Sequence, residues 1–406
     1  MENNLYVRPN MLAYRGAQAA CFVLATFVFR RKFIRNEIKG VEESYVVVAN
    51  HQCSLDFVNL LNATKKPLTF VLSNSFFNSL PVNGLLKSLG VIPKQQFQTT
   101  ISDMRKMKAV IENGASLVIY PAGLMCEDGV STPIPEATYK FIKWLDADVY
   151  AARTMGTYFS KPKWTTGIRS GRTYLDVYKL LTKEALERMK VSEIREIVEE
   201  ALLFNAYEDQ ERLLIKYKDC DNIEGLQNVL YKCPNCGKEF TMDVRDRHTI
   251  FCSACGYEER CDEYGFLHND KGLGKEIRHV PDWSRQIYEE LREYIVEHPD
   301  FYMSTHAKIH MIDYDKHKFV EVGSGNVSLC KDHFTLTGRI NGESVDMEIS
   351  SAKMPTLPFG PGKYFEIQNG QEIYRCLPDD GRLAMKFINT LKIFYELNNP
   401  RKAKKA

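Results

Sequence analysis

Two residue patterns in this chain have types and spacing that could do chemistry. The first is His51 with Asp56 five places on, in YVVVANHQCSLDF. A carboxylate beside an imidazole fixes its tautomer and raises its basicity, which makes a general base. Spacing alone proves little. With nine histidines in the chain, this arrangement is expected by chance about half a time. The chain even holds a control with the same spacing, His310 and Asp315 in KIHMIDYDKH. The second pattern is Cys233, Cys236, Cys252 and Cys255, two C-x2-C pairs in YKCPNCGKEFTMDVRDRHTIFCSACGYEER. That spacing predicts a tetrahedral zinc site, with each pair in a turn closed by glycine. The hairpin between the pairs has too little core to fold alone, so the metal would supply folding energy. Cys261 is surplus to four ligands, and His248 is a possible substitute ligand.

The elements around the first pattern separate it from its control. His51 follows the β-branched run Tyr45–Ala49 and precedes the apolar stretch Leu55–Leu61. It therefore falls at the carboxyl end of a strand, where α/β folds place ligands. Positions five apart do not share a helix face. The pair can meet only with His51 in the loop and Asp56 in the first helical turn, and Ser54 is the expected N-cap. Asp56 stabilising a helix start while His51 ends a strand is the plainer alternative. His310 and Asp315 lie around a polar turn and read as solvated turn chemistry.

The first half of the chain alternates strand and helix signals. Strands are expected at Leu68–Leu72, Ala115–Tyr120, Asp148–Ala152 and Thr173–Val177, and helices at Asp103–Asn113 and across Lys183–Leu214. This predicts an α/β fold with a mostly buried, largely parallel sheet flanked by helices. After a helix at Ser284–Glu297 the chain becomes β-rich. Asn341-Gly342 and Asn369-Gly370 each separate two strand signals, the pattern of type I′ hairpins. A helix carrying Leu383, Phe387, Ile388, Leu391 and Phe394 on one face closes the chain. Hairpins closed by one helix are similar to a pleckstrin-homology or GRAM-type module, by fold analogy alone. The expected division is residues 1–40, an N-terminal membrane-interfacial helical segment; 41–218, the α/β domain; 225–268, a zinc ribbon; and 280–400, the β-rich domain.

Composition narrows the function classes. A chain of 406 residues supports two or three domains. A net charge of +2 offers no general attraction for nucleic acid. In the ribbon, Lys232, Lys238, Arg245, Arg247 and Arg260 are offset by Glu239, Asp243, Asp246, Glu258 and Glu259, so no nucleic-acid partner is expected. A protein partner for the ribbon or the β module stays open. Eleven cysteines, four of them in C-x2-C pairs and with no cleavable signal visible, suggest a reducing compartment and metal rather than disulfides. The apolar run Gly16–Phe29 is followed by Arg30, Arg31, Lys32 and Arg35. It reads either as a buried helix or as an anchor dipped into one leaflet, with its cations on anionic headgroups.

Three blocks together resemble the glycerolipid acyltransferase family, which includes the lysophosphatidate acyltransferases. They are Asn50-His51 with Asp56, the stretch from Phe70 to Gln96, and Ile101 to Gly123. The resemblance covers roughly residues 10–215. It implies acyl transfer from acyl-CoA or acyl carrier protein to a hydroxyl of a lysophospholipid acceptor. His51 would be the base, oriented by Asp56. Asn50, Lys94, Pro121, Ala122 and Gly123 would line the substrates. A lipid acceptor favours the anchor reading of Gly16–Phe29, and with the cysteine usage it places the protein at the cytoplasmic face of a membrane. Two departures stand out. Lys94 occupies the place of an arginine, which keeps charge but loses the bidentate fork. In Tyr120-Pro121-Ala122-Gly123-Leu124-Met125, Ala122 replaces the family glutamate and Met125 an arginine. A changed acceptor, a carboxylate supplied from elsewhere, or loss of activity would each follow from that replacement.

Overall fold

The computed structural model describes residues 5–96 and 100–400. The chain divides into two compact units, Met1–Pro162 with Gly167–Cys220, and Lys163–Thr166 with Asp221–Ala406. The expected segment 1–40 belongs to the first unit. The expected zinc ribbon and β-rich domain share the second.

The first unit opens with helix α1 (Met11–Val23), capped by the Asn10 side chain and continued by a wider turn over Leu24–Val28. Strands β1 (Lys32–Asn36) and β2 (Tyr45–Ala49) follow, then the short helix α2 (Asp56–Leu60). Next come β3 (Leu68–Ser73), α3 (Asn74–Asn78), α4 (Asn83–Ser88), β4 (Ile92–Lys94), α5 (Ile101–Glu112) and β5 (Ser116–Ile119). The unit ends with α6 (Glu136–Leu145), β6 (Asp148–Met155), α7 (Thr157–Ser160), β7 (Tyr174–Leu181), α8 (Lys183–Arg188), α9 (Val191–Leu202) and α10 (Ala206–Leu213).

Its sheet runs in the order β1-β7-β6-β2-β5-β3-β4. β6, β2, β5, β3 and β4 are mutually parallel, whereas β7 is antiparallel to β6. β2 lies at the centre, and all five of its residues are buried. Burial on both faces explains its unbroken apolar sequence. Val46, Val48, Leu117, Ile119 and Val149 build the core on one face; Tyr45, Val47, Ala49, Val118 and Tyr150 build it on the other. Helix α5 starts at a capping box between Thr100 and Asp103. Helix α1 buries Tyr14, Gln18 and Cys21 along one side, and Val58 and Leu61 pack against that stripe. Its other side leaves large apolar groups in the open, with Leu12 86% and Phe27 70% exposed. By length and composition Met11–Val28 could cross a membrane, although 22% of it is buried within the protein.

The second unit holds two sheets. Strands β8 (Met242–Arg245), β9 (Thr249–Cys252), β10 (Glu258–Cys261) and β11 (Leu267–His268) form a small antiparallel sheet. After helix α11 (Val280–Glu297) come β12 (Met303–Asp313), β13 (Lys318–Leu329), β14 (His333–Ile340), β15 (Glu343–Ser350), β16 (Phe359–Gly360), β17 (Tyr364–Asn369) and β18 (Glu372–Pro378). They pair antiparallel in the order β15-β14-β13-β12-β18-β17-β16, and helix α12 (Leu383–Asn398) follows, burying Phe387, Ile388, Leu391 and Phe394. Asn341 and Gly342 adopt φ values of 52° and 84° between Ile340 and Glu343, as a type I′ turn requires. The second hairpin differs from expectation. Asn369 pairs with Glu372, so the loop is Gly370-Gln371, with the positive φ of 59° on Gly370 alone. The register follows burial: Phe365 opposite Cys376 and Ile367 opposite Tyr374 are all buried.

Candidate active site

Strand β2 ends at Ala49, and the next three residues divide their work. His51 turns toward Asp56, with Nδ1 2.9 Å from Oδ2. Asp56 is 1% exposed and the His51 side chain 21% exposed, so the imidazole reaches solvent over a buried carboxylate. The same Asp56 oxygen accepts the backbone N–H groups of Gln52 at 2.8 Å and Cys53 at 3.0 Å. These donors fold the loop back on the carboxylate and hold it for the ring. Ser54 is not the N-cap: the helix begins at Asp56 and Leu55 occupies the cap position. Asp56 reaching backward supplies the order that a cap would have given.

Asn50 and Gln52, on either side of His51, both reach to the end of β6, and Gln52 reaches on to the start of α7. Asn50 donates to the Thr154 carbonyl at 2.9 Å and accepts from the Thr154 N–H at 2.8 Å. Gln52 donates to the same carbonyl at 3.0 Å, and its oxygen accepts from the Thr157 hydroxyl and the Tyr158 N–H. Both amides are buried and bonded through both their oxygen and their nitrogen. Asn50, expected from the sequence to line the substrates, thus ties the loop to its neighbouring strand. Gln52 was not singled out by sequence reasoning. Its partners lie more than 100 positions away, and no local signal marks them.

Strand β5, beside β2, brings in the third block. Tyr120 stacks on the His51 ring, with centroids 4.2 Å apart and planes 25° from parallel. The turn at Pro121-Ala122-Gly123 is closed by the Gly123 N–H on the Tyr120 carbonyl, with Gly123 at φ 72°. Gln96 donates to the Gly123 carbonyl at 2.8 Å, and the Cys126 N–H donates to the His51 carbonyl. Ala122 is half-buried in this turn and carries no polar side chain. Lys94 ends β4, three strands from β2 on the same carboxyl edge, roughly 14 Å away at the usual strand spacing. Its ammonium donates to the Gln95 carbonyl at 3.0 Å. Burial lowers its pKa, with Asp103 acting in the opposite direction.

Two thiols flank the dyad. Cys53 donates to the other Asp56 oxygen at 3.6 Å, and the Cys126 thiol contacts the Gln52 carbonyl. Burial first, then nearby carboxylates, holds both thiols well above their usual pKa. A protonated, buried thiol bonded to the carboxylate is not a nucleophile. The arrangement supports base catalysis by His51 and not a cysteine acyl-enzyme.

In the second unit the sulfurs of Cys233, Cys236, Cys252 and Cys255 all lie within 4.8 Å of one another. Cys233 and Cys255 are 3.7 Å apart, and Cys236 and Cys252 3.8 Å. Four sulfurs at a zinc–sulfur distance of about 2.3 Å would be about 3.8 Å apart, so the residues fit a tetrahedral ion. Gly237 and Gly256, at φ 71° and 77°, close the two turns. His248 points to Asp221 instead, with Nδ1 3.1 Å from its carboxylate. The control histidine, His310, lies within β12 rather than in the turn, 3.9 Å from Glu321. Asp315 sits in the turn that follows.

Residues 30–157 match the acyltransferase family model. The matched stretch is about a third of the chain and lies within its first unit. Among solved structures, the chain is similar to the 1-acyl-sn-glycerophosphate (LPA) acyltransferase PlsC from Thermotoga maritima, at 18% identity and a TM-score of 0.41, over 50% of this chain and 78% of that one. A comparison with curated proteins finds no match.

Proposed function

We propose that the protein is a membrane-associated O-acyltransferase. In this reading it moves an acyl chain from acyl-CoA or acyl carrier protein to a hydroxyl of lysophosphatidate or a related glycerophospholipid precursor. The single observation that carries the reading is the His51–Asp56 pair at the carboxyl end of the central strand, within the matched domain. With Nδ1–H donated to Asp56, His51 presents Nε2 to the acceptor hydroxyl and takes its proton. The alkoxide attacks the thioester carbonyl, and the tetrahedral intermediate collapses by expelling the thiolate. That thiolate takes the proton from the imidazolium and leaves as the thiol. General-base help of this kind is worth about 10²–10⁴-fold. Lys94, half-buried on the same sheet edge, supplies a cation for the acceptor phosphate. The exposed apolar side of α1, with Arg30, Arg31, Lys32 and Arg35 beyond it, rests on an anionic leaflet. The four cysteines hold a structural zinc ion.

The test is turnover of lysophosphatidate with acyl-CoA by wild type and His51→Ala. Equal turnover by both would sink the mechanism. Ala122 favours a second reading, a non-catalytic lipid-binding protein on the same fold. That reading expects lysophospholipid binding without transfer from any donor, and activity appearing in Ala122→Glu.

A further inference from the structure

An imidazole has two faces as well as two nitrogens, and one face of His51 is covered. One hydrogen bond from Nδ1 to Asp56 fixes the ring along a line but leaves it free to rock about that line. Tyr120 removes this freedom. It follows the last residue of β5, level with the end of β2, because Val48 pairs with Ile119. Its ring lies 4.2 Å from the imidazole and nearly parallel to it.

We propose that Tyr120 is a positioning residue for the base: its ring sets the plane of the His51 imidazole and stabilises the imidazolium formed during proton transfer. The proposal rests on the reading of His51 as the general base. The physical grounds are two. Stacked rings at this separation attract beyond simple burial. A cation formed against an aromatic face is stabilised by the ring quadrupole, so the contact strengthens as His51 gains its proton. Tyr120 is suited to this because burial, and then the charge of Asp56, keep its phenol protonated. It contributes a neutral face rather than a competing proton. The turn bearing Ala122 begins on the same residue, since the Gly123 N–H bonds to the Tyr120 carbonyl at 2.9 Å. The base and the third block are therefore held by one residue, through its ring and its carbonyl.

The experiment uses full-length protein with isotope-labelled histidine. Wild type should show the His51 ring protons shifted upfield by the stacked ring; absence of that shielding overturns the proposal. Turnover of lysophosphatidate with acyl-CoA is then compared among wild type, Tyr120→Phe, Tyr120→Leu and the unbranched, adaptable Tyr120→Met. Removing the face should lower kcat about 3- to 30-fold with KM nearly unchanged, and Tyr120→Phe should recover most of the loss. If Tyr120→Leu or Tyr120→Met matches Tyr120→Phe in kcat while the shielding is gone, Tyr120 only packs and the proposal fails. His51→Ala is run alongside. If it turns over like wild type, the base reading falls and takes this proposal with it, whereas intact shielding would show that the stacking itself was correctly placed.

Discussion

At the scale of single residues, the carboxylate of Asp56 does two jobs with one oxygen. It orients His51 and it accepts two backbone N–H groups of its own loop. Asp56→Asn keeps an acceptor for the loop but no longer fixes the imidazole tautomer. Its kcat should fall by about 10²-fold or more in steady-state assays, with the melting temperature little changed. The sequence disclosed this pair because strand, loop and helix signals surrounded it. It hid the Ser54 error, since a serine before a helix resembles a cap whether or not a nearby aspartate has already satisfied the loop. A second buried carboxyl behaves differently. Glu259 accepts from the Tyr257 hydroxyl and the Ile277 N–H on one oxygen, while the other has no partner. Burial raises its pKa to about 7. The folded state then binds a proton more tightly than the unfolded one, so stability is fully present below about pH 4.5 and is lost as pH rises through about 7. Urea titrations at pH 5 and pH 8 should show this loss in wild type and a flatter profile in Glu259→Gln.

At the scale of elements, helix α1 faces two ways. Tyr14, Gln18 and Cys21 tie it to the protein, and Phe22, Val23 and Phe27 are left in the open. The run of apolar letters could not distinguish an anchor from a buried helix, because both need the same composition. Which side is packed depends on Val58 and Leu61, and their place relative to the helix is a tertiary fact. Phe27→Asp should weaken co-sedimentation with anionic phospholipid vesicles by about tenfold or more. Unchanged sedimentation would remove the anchor from the proposed function. The hairpins make the same point in miniature. Asn341-Gly342 was legible from two letters. At Asn369-Gly370 the need to bury Phe365, Ile367 and Cys376 moved the turn one residue onward.

At the scale of the whole molecule, the cysteine cluster is not an isolated knuckle within its unit. Trp283 of α11 donates its indole N–H to the Lys232 carbonyl at 2.9 Å and meets Tyr257 edge-on. Lys232 pairs with Glu290 at 2.6 Å, and from α12 Lys386 pairs with Glu239. The four-cysteine segment and helices α11 and α12 are thus tied together by side chains. Chelation of zinc from the full chain, or Cys233→Ser, should lower the calorimetric melting of the entire second unit, not of the ribbon alone. Metal analysis should find one zinc ion per chain. A metal-free protein with an unchanged melting profile would exclude the structural role.

The amides of Asn50 and Gln52 give the His51 loop a place in time as well as in space. They close on residues 102 to 106 positions further along. Contacts so distant in sequence form only after a long loop has been closed, and such steps are slow. A growing chain that has emerged just beyond β5 already carries His51, Asp56 and Tyr120. It still lacks the strand against which the loop is clasped. The His51–Asp56 pair is complete in letters well before its loop is clasped, which waits on the arrival of β6 and α7.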